Sequence, residues 1–347
     1  MTSNKQGSIH PVSNGAKRLT QPAARGLIVG SFMPAHAGHR LLMEFGRVWC
    51  DELVVALLHS PEDAINLAVR QRWLQELAPD LTVVEVALES GPPSTIEPDS
   101  VAAKVGQVMP GSFEVLIGSK ARDEAIASAL NMRFIGVDPE QLMVPVGATD
   151  VREDPMSHWE LIPECARSHF ARRVCVYGPG GTGKSALVEQ LTIHYDTAWA
   201  TEYRPPGKAP MELGDMPRIG RAQAAIEDAM ARQSNRVLIC DGGVLGTAVK
   251  SKVAFKQCPQ ELRELSDARA YHQILLMDLD PVLADTAPKR RFEAAQREFD
   301  AYRNELIEAD RRYLRLDGDY DTRFRIACDA IDILIGQPTR RPPRPDL

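Results

Sequence analysis

The sequence predicts an α/β protein with two doubly wound parallel sheets, one in each half of the chain. Short apolar runs alternate with helical patterns throughout, which is typical of open parallel sheets with helices on both faces. A glycine-containing loop separates the first strand from the first helix of each half, at residues 30–39 and 178–185. The length of 347 residues is long for one core and sufficient for two domains.

Composition and charge exclude several classes of protein. A net charge of -6 argues against a broad nucleic-acid-binding surface, so we expect no nucleic-acid partner. No apolar run approaches the ~20 residues that span a bilayer, and the N-terminus lacks the apolar core of a signal peptide. The six cysteines are scattered without a C-x-x-C pair, as in a reducing compartment. We therefore expect a cytoplasmic protein with no membrane partner.

The first half is predicted to follow a disordered lead-in of residues 1–25. Its apolar runs predict strands at 26–30, 53–58, 81–88, 114–117 and 133–137. Helical patterns fall between them at 39–50, 62–78, 100–109 and 121–131. Ligands of such sheets bind outside the carboxyl ends of the strands, which here are residues 30–39 and 118–120.

Pro155 and Pro163 mark a joint between the two halves. We predict domains at 26–155 and 172–336, a linker at 156–171 that is helical after Pro163, and a disordered tail at 337–347. Strands of the second half are expected at 173–177, 236–241, 273–279 and 313–316. Helices are expected at 184–195, 218–233, 259–271, 289–310 and 322–335.

Residues 178–185 read GPGGTGKS and fit the phosphate-binding P-loop motif G-x-x-x-x-G-K-[ST] in full. A buried strand precedes the motif and a helix follows it, whereas a chance glycine-rich turn would lack these flanks. Lys184 is predicted to reach the β- and γ-phosphates of ATP, and the Ser185 hydroxyl to ligate Mg²⁺. Further nucleotide contacts are predicted from the loop itself: Gly178, Gly180, Gly181, Thr182 and Gly183.

Residues 30–39 read GSFMPAHAGH and open the first helix. Two imidazoles three residues apart, His36 and His39, lie on one side of a helix start and can donate to a phosphate as charge builds on it. Two surface histidines are the alternative, and a zinc site lacks a third ligand at suitable spacing. The predicted nucleotide-binding residues at this edge are Gly30, Ser31, Phe32, Pro34, Gly38, Gly118 and Ser119.

The pattern G-x-F-x-P-x-H-x-G-H resembles the signature of the nucleotidyltransferase superfamily that contains the nicotinamide-nucleotide adenylyltransferases. That superfamily also has a late [ST]-x-T-x-[IV]-R motif, matched here by Thr149, Val151 and Arg152, with Gly147 in place of a hydroxyl residue. The resemblance implies a Rossmann-like nucleotidyltransferase domain. It assigns catalysis to His36, His39 and Arg152 and nucleotide binding to Thr149.

Residues 152–163 resemble the R-x-x-P-x-x-x-W-x-x-I-P joint of NadR-type proteins, in which the adenylyltransferase runs into a ribosylnicotinamide kinase. The resemblance extends over about residues 26–336 and implies a P-loop kinase domain second. Some NadR-type proteins begin with a DNA-binding domain. Residues 1–25 are too short and too unpatterned for a helix-turn-helix, so we expect none.

The resemblance implies further kinase residues. Glu202 and Tyr203 match a segment that contributes to the riboside site, with Thr201 in place of a tryptophan. Asp241 ends a buried strand, where it would hold Mg²⁺ or accept the proton of the attacking hydroxyl. Asp285 matches a substrate-site lid residue although Thr286 replaces the lid glycine, and Arg290 and Arg291 would neutralise the transferred phosphoryl group. Each residue has an alternative as ordinary loop or helix surface.

The resulting hypothesis is a bifunctional enzyme of NAD synthesis that uses ATP and Mg²⁺. The kinase half would phosphorylate nicotinamide riboside, and the other half would join nicotinamide mononucleotide to AMP, giving NAD and pyrophosphate. Residues 89–97 contain no aromatic side chain, so the platform for nicotinamide is not visible. Two alternatives stay open: a kinase with a different acceptor, or a nucleotide-sensing regulator with little turnover. A homo-oligomer is possible on this sequence.

Overall fold

The computed structural model describes residues 23–109, 111–206, 211–279 and 288–336. The chain forms two compact units. The first unit comprises the residues up to Met33 together with Gly38–Pro145, and the second comprises Pro34–Ala37 together with Val146–Leu347. The chain divides after Pro145. The domains expected at 26–155 and 172–336 stay predictions, because a division into compact units does not show which segments fold independently.

The first unit contains a parallel sheet of five strands in the order β3-β2-β1-β4-β5. The order reverses between β1 and β4, so their carboxyl ends border the crevice where such sheets bind ligands. The strands are β1 (Ala23–Gly30), β2 (Cys50–His59), β3 (Thr82–Ala87), β4 (Val115–Gly118) and β5 (Arg133–Gly136). The helices are α1 (Ala37–Trp49), α2 (Leu67–Leu77), α3 (Pro98–Val108) and α4 (Ala121–Ala129).

Two boundaries in the first unit differ from the predictions for local reasons. Strand β1 begins at Ala23, which is buried and pairs with Cys50, so the disordered lead-in predicted to residue 25 is three residues too long. Helix α2 begins at Leu67 and not at residue 62, because the Asn66 side chain caps it by accepting from the backbone N–H of Ala68 at 2.8 Å.

The second unit contains another parallel sheet, in the order β10-β9-β6-β8-β7. Its strands are β6 (Arg172–Tyr177), β7 (Trp199–Ala200), β8 (Val237–Asp241), β9 (Gln273–Met277) and β10 (Leu314–Leu316). Its helices are α5 (Ala148–Glu153), α6 (Glu164–Phe170), α7 (Lys184–Tyr195), α8 (Met216–Gln233), α9 (Gly243–Phe255), α10 (Gln260–Ala268), α11 (Lys289–Glu308) and α12 (Tyr320–Ile335). Among the described helices, none combines the length and apolarity that crossing a bilayer requires.

Helix α9 has no counterpart in the sequence prediction. Eight of its first nine residues are buried, namely the run Gly243–Val249 and Ser251. A helix that is buried on every side has no 3.6-residue periodicity to detect. Gly242, which caps the helix, and Gly243, its first residue, have φ of 71° and 59° and are turn-like in sequence.

The segment predicted as a linker packs closely in the second unit. Met156, Trp159 and Ile162 are buried, and the Trp159 ring lies under the guanidinium of Arg167. Arg236, at the start of β8, donates from Nε to the carbonyl of Met156 at 2.8 Å. These contacts hold residues 156–162 against the sheet that carries the P-loop.

Candidate functional site

The P-loop connects the carboxyl end of β6 to α7 through residues with left-handed backbone conformations. Gly178, Gly181 and Gly183 have φ of 141°, 79° and 86°, which glycine alone adopts readily. A Cβ on Gly178 would lie 2.9 Å from the carbonyl oxygen of Met277, whereas a Cβ on Gly180 or Gly181 would meet nothing within 4 Å. The loop therefore packs on β9 at one end and is open at its tip, as a phosphate cradle requires.

Lys184 lies inside this loop. Its ammonium donates to the carbonyl of Pro179 at 2.6 Å, and the Thr182 hydroxyl donates to the same oxygen at 3.0 Å. Burial lowers the pKa of Lys184, and the carboxylates of Asp241 and Glu298 oppose that fall. A phosphate oxygen can replace this neutral carbonyl as partner of the ammonium, and its negative charge would compensate the buried cation.

Ser185 and Asp241 bring two side-chain oxygens together next to the P-loop. The Ser185 hydroxyl donates to Oδ2 of Asp241 at 2.8 Å, while the buried Oδ1 of Asp241 has no hydrogen-bond partner among the described residues. No group of three His, Cys, Asp or Glu side chains forms a metal site in the described part of the chain. These two oxygens fit Mg²⁺, which binds nucleotides through one or two protein oxygens, phosphate oxygens and water.

The predicted acceptor residues follow β7. Glu202 forms ion pairs with Lys250 of α9 and, at 3.4 Å, with Arg204. Burial, followed by repulsion from Lys184, lowers the pKa of Lys250 to about 8, while Glu298 opposes the fall. Lys250 is therefore a cation close to residues 201–204, which we call the acceptor loop. The sequence analysis missed Lys250 because it predicted no helix at α9.

Tyr203 is held from both its ring and its backbone. The ring packs against a buried cluster of α8, α9 and α10 that includes Ile219 and Val244. Its N–H donates to Oε1 of the fully buried Gln223 at 2.7 Å. The predicted role of Tyr203 in the riboside site stays a prediction, and this packing already covers part of the ring.

A buried polar chain continues from Gln223 to the start of α9. The fully buried Glu227 accepts from the Gln223 amide at 3.5 Å, the Tyr271 hydroxyl at 3.0 Å and the Val244 N–H at 3.1 Å. Burial raises the pKa of Glu227, and Arg269 and Tyr271 oppose the rise. In the sequence, these hydrogen-bonded residues are indicated only by a glutamine and a glutamate four residues apart on a helix.

The predicted lid residues are only partly described. Arg290 and Arg291 are exposed in the first turn of α11. Asp285 and Thr286 lie outside the described residues. A role of the two arginines at the phosphoryl group stays a prediction.

The histidine loop of the first sheet has a specific local packing. His36 is buried, and His39 lies in the first turn of α1. Phe32 has a φ of 49°, and its ring lies 4.5 Å from the His39 ring, centroid to centroid. A Cβ on Gly30 would lie 3.2 Å from the Phe32 ring, so this glycine makes room for the ring that orients His39. Ser31 and Gly38 are half-buried and Pro34 is buried in the same loop.

Arg70 supports this loop from within the first unit. Its side chain is fully buried in an ion pair with Asp63, and it donates to the carbonyls of Ser31 at 2.7 Å and Leu58 at 2.9 Å. Burial lowers the pKa of Arg70, and Asp63 opposes that change. The arginine fixes the backbone just before Phe32, a role that its place in an ordinary helix did not reveal.

The end of β4 is organised by Asp123. Its carboxylate accepts from the N–H groups of Ser119 and Lys120, both at 3.0 Å. A Cβ on Gly118 would lie 2.5 Å from the same side chain. Gly118 thus provides room for this cap. Nucleotide binding by Gly118 and Ser119 stays a prediction, and the Ser119 N–H is bound to Asp123 here.

The late motif lies on the short helix α5, which carries Thr149 and Arg152 and belongs to the second unit. The Gly147 N–H donates to the Asp150 carboxylate at 2.7 Å. Gly147 has a φ of -100°, which any residue adopts, so its backbone does not require glycine.

The chain is similar in sequence to known proteins. A family of AAA domains matches residues 173–323. The trifunctional NAD biosynthesis/regulator protein NadR of Escherichia coli (strain K12) is 25% identical over 219 residues, which are 60% of this chain and 53% of that protein. The match thus spans about half the length of this curated relative.

Two solved structures of NadR share the fold. NadR protein in complex with NR has a TM-score of 0.72 at 19% identity and covers 93% of this chain and 99% of that chain. NadR protein in complex with NAD and AMP-PNP has a TM-score of 0.70 at 19% identity, with 92% and 98% covered. The chain is thus similar to NadR proteins in sequence, and it shares the fold of the two NadR structures.

Proposed function

We propose that the second unit phosphorylates nicotinamide riboside with ATP, and that the histidine loop transfers an adenylyl group from ATP to nicotinamide mononucleotide. One observation carries the kinase assignment: at a complete P-loop that contains Lys184, the Ser185 hydroxyl donates to Oδ2 of Asp241, whose buried Oδ1 has no partner among the described residues. The NadR complexes with NR, NAD and AMP-PNP support riboside, dinucleotide and ATP as the ligand classes.

Each proposed kinase residue has a separate role in binding or in phosphoryl transfer. Lys184 binds the β- and γ-phosphates, and Ser185 with Asp241 would hold Mg²⁺, which neutralises charge on the transferred phosphoryl group. Asp241 also offers a carboxylate that can take the proton of the attacking hydroxyl. Glu202, oriented by Lys250, would accept a hydrogen bond from a ribose hydroxyl.

In adenylyl transfer, His36 and His39 would donate to the α-phosphate as negative charge develops on its oxygens. Phe32 restricts the His39 ring to one orientation, which lowers the cost of aligning it with the phosphate. Arg152, carried by α5, would supply positive charge in this reaction. The products would be NAD and pyrophosphate.

The test is to measure the two half-reactions separately, with mass detection of products from Mg-ATP and a panel of ribosides and mononucleotides. Lys184→Ala should reduce riboside phosphorylation by about 10²- to 10³-fold and leave adenylyl transfer intact. His39→Ala should do the reverse, so each variant serves as the folding control for the other. A wild-type protein that makes neither product refutes the proposal, and loss of both reactions in Lys184→Ala refutes independent sites.

A further inference from the structure

Arg323 is a buried arginine beside the P-loop to which no function has been given. It lies in the first turn of α12, with 5% of its surface exposed. Its guanidinium makes three hydrogen bonds, all to backbone carbonyls. Nε donates to Gly318 at 2.9 Å, Nη1 to Thr182 at 3.2 Å and Nη2 to Leu279 at 3.1 Å.

The three carbonyls belong to three segments that surround the nucleotide site. Thr182 is in the P-loop itself. Leu279 follows β9, the strand whose Met277 packs on Gly178 at the other end of the loop. Gly318 forms the turn between β10 and α12, with a φ of 85°. One side chain thus joins the P-loop, which follows β6, to the segments that follow β9, the neighbour of β6, and β10, the next strand beyond it.

The bond to Thr182 fixes an N–H group as well as a carbonyl. In a trans peptide the C=O and the following N–H point in opposite directions. Because Arg323 holds the Thr182 carbonyl, the Gly183 N–H must point away from α12. Gly183 caps α7, where backbone N–H groups without helical partners bind anions.

The charge of Arg323 is not balanced by an ion pair in the described part of the chain. The Asp319 carboxylate, four residues before Arg323, accepts from the Thr322 N–H at 2.8 Å. A buried cation with only carbonyl partners is costly unless an anion compensates it. The polyphosphate that the adjacent loop receives is such an anion.

We propose that Arg323 is a positioning residue of the kinase nucleotide site. It holds the P-loop so that the Gly183 N–H faces the phosphates, and the negative charge of the phosphates compensates its buried positive charge. The inference rests on the proposed kinase function. The first unit uses the same device on its own loop, where Arg70 holds the Ser31 carbonyl.

The experiment compares Arg323→Met, Arg323→Lys and the control Arg325→Met, an exposed arginine on the same helix. Calorimetry measures the affinity for Mg-AMP-PNP, and initial rates give KM for ATP and for riboside. Arg323→Met should weaken AMP-PNP binding and raise KM for ATP about 10- to 100-fold, with KM for riboside unchanged. Arg323→Lys should be intermediate, Arg325→Met should match wild type, and guanidinium ion should partly restore nucleotide affinity to Arg323→Ala.

Unchanged nucleotide affinity in folded Arg323→Met or Arg323→Lys overturns the inference. So does an equal rise of both KM values, which would indicate general loss of structure. If Arg323→Met does not fold, the lysine variant and the guanidinium rescue decide. A wild-type protein that binds Mg-AMP-PNP without phosphorylating riboside refutes the proposed function alone, because the binding arm still tests Arg323.

Discussion

Replacing Gln223 by methionine should weaken riboside binding and leave ATP binding unchanged. Gln223 is fully buried, and its amide oxygen accepts from the Tyr203 N–H at 2.7 Å. Methionine has a similar length and volume but cannot accept this bond. The substitution therefore releases the backbone between Glu202 and Arg204 while keeping the packing of α8.

The magnitude follows mainly from the lost bond to Tyr203. The bond from the Gln223 amide to Glu227 is lost as well, but at 3.5 Å it is long, and Glu227 keeps Tyr271 and the Val244 N–H as donors. A buried donor left without a partner costs about 1–3 kcal/mol. Tyr203 is only half-buried, so water can reach its N–H after small movements, and the lower part of that range applies. We expect a rise in the KM for riboside of about tenfold, which corresponds to about 1.4 kcal/mol.

Initial rates with riboside varied at saturating ATP, and then with ATP varied at saturating riboside, measure the two KM values. Gln233→Met, an exposed change in the last turn of the same helix, is the matched control. A riboside KM equal to that of wild type in folded Gln223→Met would show that Tyr203 is not held by this bond. A parallel rise in the KM for ATP would place the effect outside the acceptor loop.

Two further predictions concern the same site. Asp241→Asn should lower kcat for riboside phosphorylation by about 10²-fold or more and spare adenylyl transfer, as initial rates of the two half-reactions would show; equal loss of both would contradict it. Because the pKa of Lys250 is lowered to about 8, its charge is lost as pH rises through that value. The kcat/KM for riboside should therefore fall above pH about 8 in wild type and in the control Lys252→Arg. It should stay level in Lys250→Arg, because arginine keeps its charge at this pH. Identical pH profiles of all three proteins would show that Lys250 does not act in the site.

The features that could be predicted from the sequence are those that depend on residues close together in the chain. The parallel α/β architecture follows from local alternation of apolar strands and amphipathic helices. The P-loop combines its glycines, Lys184 and Ser185 in eight consecutive residues, so spacing alone predicts the loop and the helix that follows it. The roles of the site residues, inside and outside this motif, stay predictions even where the structure locates them.

The features that sequence could not provide depend on residues far apart in the chain. Arg323 meets Thr182 across 141 positions, and Gln223 meets Tyr203 across 20. Each is one polar residue within a helical pattern, where exposure to solvent is the usual outcome. The first sheet shows the same limit, because Gly118 has the spacing of a ligand-binding residue but makes room for Asp123.

Helix α9 explains why the acceptor loop and the end of β8 are linked. Gly243 follows Asp241 by two residues, and a Cβ there would lie 2.3 Å from the Tyr271 hydroxyl. The missing side chain lets this hydroxyl reach both Glu227, at 3.0 Å, and the Val244 N–H, at 2.9 Å. Glu227 in turn meets the glutamine that holds the acceptor loop. A buried carboxylate surrounded by donors is costly to leave partly satisfied, so these bonds favour one relative placement of Asp241 and the loop. Gly243 thus has two effects: it made α9 hard to predict from sequence, and it leaves the space in which Tyr271 bonds to Glu227 and Val244.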